Sequence, residues 1–111
     1  MQVAFHVSSG DHDAQAGALR NVSNLLGDDT VDPAVALVVN SDAIGLCFPA
    51  HPHASRVREL LDAGVAVKLC ANTLSRDERG EPDLLDGVEV VSSAMGELTR
   101  LQDAGYGYIR P

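Results

Sequence analysis

Tryptophan is absent, and aromatic residues make up only 4% of the 111-residue chain. Any core must therefore be built mainly from small aliphatic side chains. Bases are scarce: Lys and Arg total 8 against 16 Asp and Glu, for a formal charge of −8, and the only lysine is Lys68. No basic run exists, and a phosphate backbone is held by clustered Lys and Arg, so no nucleic-acid partner is expected. The acidic, lysine-poor surface fits a protein kept soluble in high salt, and equally an ordinary acidic cytosolic protein.

Two cysteines, Cys47 and Cys70, are too few for a disulfide scaffold. Reduced thiols and a cytoplasmic location are the natural expectation. No apolar run reaches the ~18–20 residues of a membrane span, so no membrane partner is expected. Met1 to His6 shows no positive region followed by a long apolar stretch, so no signal peptide is expected.

What is present is ordinary globular material: 45% hydrophobic and 22% charged residues, in a length that fits one domain. Short apolar runs alternate with helical patterns. Strands are expected at Val3–Val7, Ala34–Val39, Val65–Cys70, Val88–Val91 and Tyr106–Ile109. From Asp13 to Gly27, the spacing of Ala18, Leu19, Val22, Leu25 and Leu26 gives one apolar helical face. Asp11 or Asp13 can cap it, and Gly27 suits its end. Ser55 opens a second helix with Val57, Leu60 and Leu61 inward and Gly64 as its stop. Ser92 or Ser93 caps a third main helix, with Met95, Leu98 and Leu101 inward and Gly105 as its stop. Ala43–Phe48 reads as a helical turn on the sheet. Ser75–Asp83 reads as an exposed loop, and Asp83–Gly87 as a brief turn.

Alternating strands and helices imply a three-layer α/β/α sandwich around a five-stranded, mainly parallel sheet. Sites in such sheets form at the carboxyl ends of strands, where strand order reverses. Those ends are Ser8-Ser9-Gly10-Asp11-His12, Asn40-Ser41-Asp42, Cys70-Ala71-Asn72-Thr73 and Ser92-Ser93, all small and polar.

Cys70 is the candidate reactive group. If Asn72 or Thr73 starts a helical turn, the positive end of its dipole lowers the thiol pKa. The alternative is a buried structural thiol, which is the better reading for Cys47. His12 lies in a strand-end loop and is a candidate ligand or proton-transfer group, with a solvated loop residue as its alternative. His6 would bond a neighbouring strand end or fill a satisfied core position. His51 and His53 flank Pro52, but no carboxylate or cysteine at ligand spacing completes a metal site, so no metal is expected. Cys70 and Arg76 form a C-x5-R string, yet the segment lacks the glycines that a phosphate-wrapping loop requires. Ser8-Ser9-Gly10 could cradle an anion at a helix start, although Asp11 and Asp13 would repel phosphate and suit capping better.

The ordered set Phe5-His6-Val7-Ser8-Ser9-Gly10-Asp11, Cys70-Ala71-Asn72-Thr73-Leu74, Gly87-Val88-Glu89-Val90-Val91, Leu98 to Gln102 and Gly105-Tyr106-Gly107-Tyr108-Ile109-Arg110-Pro111 resembles the DsrE/DsrF-like proteins, the small sulfur-relay domains. The resemblance runs nearly the full length and is closer to the stand-alone members than to dedicated relay subunits. It implies the same three-layer fold, homo-oligomers (trimers or hexamers), and a persulfide carried on the cysteine matched by Cys70. No cofactor is expected.

Two functions follow. One is a small sulfur-handling protein, a sulfurtransferase or carrier, with Cys70 as carrier and Ser8, Ser9, Gly10, His12, Asn40, Asn72 and Thr73 lining its pocket. A sulfur donor or acceptor protein would be its partner. The other is a non-catalytic oligomeric module that binds a small ligand, with the apolar segment Ile44–Phe48 as its interface.

Overall fold

The computed structural model covers residues 1–111. The β-branched runs become strands: β1 Gln2–Val7, β2 Ala34–Val39, β3 Ala66–Cys70, β4 Glu89–Val91 and β5 Gly107–Ile109. Every pairing is parallel, in the order β4-β3-β2-β1-β5. The main helices are α1 (His12–Leu26), α2 (Ala54–Asp62), the single turn α3 (Ala71–Leu74) and α4 (Ala94–Asp103). Tighter 3-10 turns span Ser41–Cys47 and Glu81–Asp83.

Alternation along the inner strands makes two cores. Odd positions of β1, β2 and β3, such as Phe5, Leu37, Val39 and Leu69, pack with Leu19 and Val22 of α1, Val57 and Leu60 of α2, and Leu46, Cys47 and Phe48. The other face presents Ala4, Ala36, Val38 and Cys70 to Ala94, Leu98 and Leu101 of α4. Each fully buried Leu or Val contributes roughly 1.5–3 kcal/mol relative to exposure. Small side chains on the second face let α4 approach the sheet closely. The result is the expected three-layer α/β/α sandwich, with a wholly parallel sheet.

Chain direction sets where a site can form. β1 to β4 step across the sheet in one direction, and α4 then carries the chain back to β5 beyond β1. Right-handed crossovers put α1 and α2 on one face, and force α4, which travels the other way, onto the opposite face. The reversal falls at the carboxyl ends of β3 and β4, beside Cys70.

Local expectations meet the structure with specific corrections. Asp11, not Asp13, caps α1, accepting the Ala14 N–H at 2.8 Å. Ser93, not Ser92, caps α4 by accepting the Gly96 N–H at 2.9 Å. Met95 is 56% exposed, because the buried stripe of α4 is Ala94, Glu97, Leu98 and Leu101. The second helix begins at Ala54, and Ser55 is exposed. The segment Ile44–Phe48 is no outer interface: Leu46, Cys47 and Phe48 lie in the core and Ile44 packs against it. Gly64 and Gly105 terminate their helices at φ +93° and +99°, where a side chain would be strained. No helix is long and apolar enough to cross a membrane.

Candidate functional site

Cys70 closes β3 and directly precedes α3. The residue is 6% exposed. Burial pushes the thiol pKa up, but the nearby Thr73 N–H, Ala94 N–H, Thr73 hydroxyl and Asn72 N–H more than offset it, without a formed cap hydrogen bond to the sulfur. The net pKa is lowered. Two helix starts thus lie near one sulfur: Asn72 and Thr73 from α3, and Ala94 from α4. Free N–H groups at helix starts stabilise a thiolate as they do any anion. Cys47 is the contrast. It is fully buried in the larger core, and burial alone raises its thiol to about 12. The structural reading of Cys47 holds.

Thr73 is itself held. Its Oγ1 accepts the Ser41 N–H at 3.0 Å, which leaves its own proton free to donate. Ser41 is the one non-glycine residue with positive φ, at 55°. A left-handed serine costs local strain, and here it aims a backbone N–H across from β2 to α3. Ser41 and Thr73, with Asp42, Ile44, Arg76 and Asp77, line an open hollow of about 220 Å³. The C-x5-R string forms no phosphate-wrapping loop, because residues Ala71–Leu74 are helical.

α4 is fastened beside the thiol by the chain's only lysine. Lys68 Nζ donates to Glu97 Oε2 at 2.6 Å and lies 3.2 Å from Glu89 Oε2. Glu97 Oε1 accepts from Arg100 Nη2 at 2.9 Å. The bond from Lys68 chiefly holds the Glu97 carboxyl below its usual range, against burial. Burial lowers the Lys68 pKa, but the bonds to Glu97 and Glu89 more than reverse it. This clamp ties α4 to β3 and β4.

The expected pocket residues do not form one pocket. Asn72 and Thr73 follow Cys70 in α3. Asn40 follows β2 and accepts from His6 Nε2 at 3.0 Å. Ser8 and Ser9 belong to a separate hollow of about 190 Å³ with His6 and Arg110, where Arg110 donates to Ser8 Oγ at 3.1 Å. Gly10 abuts Asp42, whose Cβ would lie 3.0 Å from an added Cβ. His12 is the clearest departure. It is the first residue of α1, on the face opposite Cys70, and meets His51 and His53 at ring separations of 5.1 and 5.9 Å. His53 donates from Nε2 to the His12 carbonyl at 3.0 Å, and His51 Nδ1 accepts the His53 N–H at 3.0 Å. No group of three or more His, Cys, Asp or Glu is arranged to hold a metal ion.

Sequence reasoning did not reach the Ala94 N–H, the Ser41 strain or the Lys68–Glu97 clamp. Ser93 signalled a helix start after β4, but nothing local shows that this start returns to Cys70. His6 satisfies both of its readings, being a buried core residue that also bonds a neighbouring strand end.

Comparison with known proteins agrees with this architecture. MTH1491, a protein of unknown function from Methanobacterium thermoautotrophicum, superposes with a TM-score of 0.93 at 34% identity, covering 99% of this chain and 98% of that one. The ychN protein from E. coli superposes with a TM-score of 0.82 at 18% identity, over 100% of both chains. No curated protein sequence matches the chain. The model of the DsrE/DsrF-like family matches residues 1–111, and the chain belongs to that family.

Proposed function

We propose that this protein is a sulfur carrier, and that Cys70 holds the sulfur as a persulfide. The observation that carries this reading is the place of Cys70, a shielded thiol at the end of β3, directly before α3 and packed in the smaller core with Ala94 at the start of α4, where its pKa is lowered. A thiolate is the nucleophile in sulfur exchange. The Cys70 thiolate attacks the outer sulfur of a donor persulfide, R–S–SH. The donor's S–S bond breaks, R–S⁻ leaves, and Cys70–S–SH forms. One S–S bond replaces another, so no oxidant is needed. Transfer to an acceptor thiolate runs the same step in reverse. The family, one of sulfur-relay-type domains, supports this chemistry. A homo-oligomer, trimer or hexamer, working in the reducing cytoplasm with a donor or acceptor protein completes the reading.

Mass spectrometry after incubation with a polysulfide tests it. An adduct of one sulfur that survives Cys47→Ser and vanishes in Cys70→Ser is expected. No adduct on the wild-type chain would overturn the proposal. A biological role that persists in Cys70→Ala would point instead to a ligand-binding module.

A further inference from the structure

His6 is 6% exposed on the sheet face that carries Cys70, two positions along β1 from Ala4 of the smaller core. A buried imidazole among aliphatic side chains must have its nitrogens satisfied. His6 Nε2 lies 3.0 Å from Asn40 Oδ1, and Nδ1 lies 2.7 Å from the Tyr108 hydroxyl. A carboxamide oxygen only accepts, so Nε2 carries the proton. In the neutral ring Nδ1 is then an acceptor, and Tyr108 donates to it. Protonation of the ring leaves Nε2 donating to Asn40, with the Tyr108 oxygen accepting instead. The Asn40 oxygen is therefore held toward β1 in either state.

That constraint turns the Asn40 NH2 away from β1. Val39 pairs with Leu69, so Asn40 and Cys70 are the next residues on adjacent strands. Asn40 is extended, at φ −149° and ψ 179°, so alternation continues, and it faces the same side as Val38 and Cys70, which share the smaller core. Asparagine at a helix start usually caps it. Asn40 occupies that position before the Ser41–Cys47 turn and makes no capping bond. Its carboxamide is committed to His6 instead.

We infer that Asn40 is a binding residue of the Cys70 site, and that its NH2, aimed by the positioning pair His6 and Tyr108, holds the terminal anionic sulfur of the Cys70 adduct. The inference rests on the carrier reading above. The starts of α3 and α4 lie beside the inner sulfur, whereas Asn40 serves the outer one. Removing Asn40 should therefore spare the free thiol and affect the perthiolate.

The test titrates two groups in each variant. The free thiol is followed by its pH-dependent alkylation, and the polysulfide-loaded protein by the near-ultraviolet absorbance of its perthiolate. Loss of one charge-assisted hydrogen bond should weaken the terminal acid about tenfold in Asn40→Ala, moving its titration up by about one pH unit. Asn40→Asp, which puts a carboxylate in the same place, should move it further. Tyr108→Phe, a change at a half-exposed edge residue that should fold normally, should give a smaller shift in the same direction. Free-thiol titration should stay in place in Asn40→Ala and Tyr108→Phe, whereas the carboxylate of Asn40→Asp should raise both titrations. An unchanged perthiolate titration in Asn40→Ala, or a free-thiol shift of equal size, overturns the inference. No shift in Tyr108→Phe overturns the aiming role of His6 and Tyr108. Absence of any wild-type perthiolate instead sinks the carrier reading itself.

Discussion

The Ser41 N–H donates to Thr73 Oγ1 at 3.0 Å, and this one bond joins the end of β2 to the helix turn that follows Cys70. A hydroxyl whose oxygen already accepts a backbone donor has its proton left for another acceptor. The Cys70 sulfur lies near enough for this hydroxyl to help lower its pKa.

Replacing Thr73 by Val keeps the shape and removes the hydroxyl. The Cys70 thiol should then titrate higher than in the wild type, while Thr73→Ser should titrate as the wild type does. Iodoacetamide alkylation across pH, in a Cys47→Ser background, measures both. Equal profiles for all three proteins would remove Thr73 from the account.

The Lys68–Glu97 pair has 16% and 11% side-chain exposure, so breaking it costs more than a surface pair and less than a fully buried one. Glu97→Gln should destabilise the fold by about 2 kcal/mol in urea unfolding. It should also raise the Cys70 pKa, because the Ala94 N–H is delivered by the helix that Glu97 anchors. A stability loss without the thiol shift would show that α4 holds its position by packing alone.

Glu97 also sets an acid limb. Its carboxyl sits below the usual range in the folded chain, so folding favours the charged form. That stability is complete above the unfolded Glu value of about 4.3 and is lost as pH falls through the folded value. Glu97→Gln should flatten this part of the stability curve; a curve parallel to the wild type would refute the assignment.

His51 acts at milder pH. Burial first, then His12, His53 and Arg79, lower its pKa. A group that prefers to stay neutral when folded costs stability as pH falls below the unfolded His value of about 6.5. The sign is therefore a loss on acidification, ahead of the Glu97 limb. The His51 ring resonance in an NMR titration should move below that of an unfolded peptide, and His51→Gln should remove the early loss.

Gly45 leaves room for the same ring. An added Cβ would lie 2.9 Å from His51 Cδ2. Gly45→Ala must turn that ring and loosen its bond to the His53 N–H, at a cost of about 1 kcal/mol. A melting temperature equal to the wild type would show that the ring yields freely.

Much of the fold is legible because its signals are local. The runs at Val3–Val7 and Ala34–Val39 are too short and too β-branched for helices, and the spacing of Ala18, Leu19 and Val22 admits only one buried helical face. Cys70 as a strand end followed by a helical turn is legible for the same reason. Met95 misled because the buried stripe is centred on Ala94, Glu97, Leu98 and Leu101, and Met95, about 100° around from Ala94, falls outside it. The neighbours of Cys70 were illegible because α4 arrives there only through the reversal of strand order, a property of the whole sheet. His12 shares a loop with Ser9 in sequence, yet one helical start carries it to the other face.

Lys68 has a practical consequence. Reagents that acylate or cross-link side-chain amines need an unprotonated, reachable nitrogen, and this chain has a single such side chain, whose pKa is raised between two carboxylates. Amine-directed dyes and lysine cross-linkers should mark its side chains poorly, and trypsin must cut the folded-out chain almost entirely at arginine.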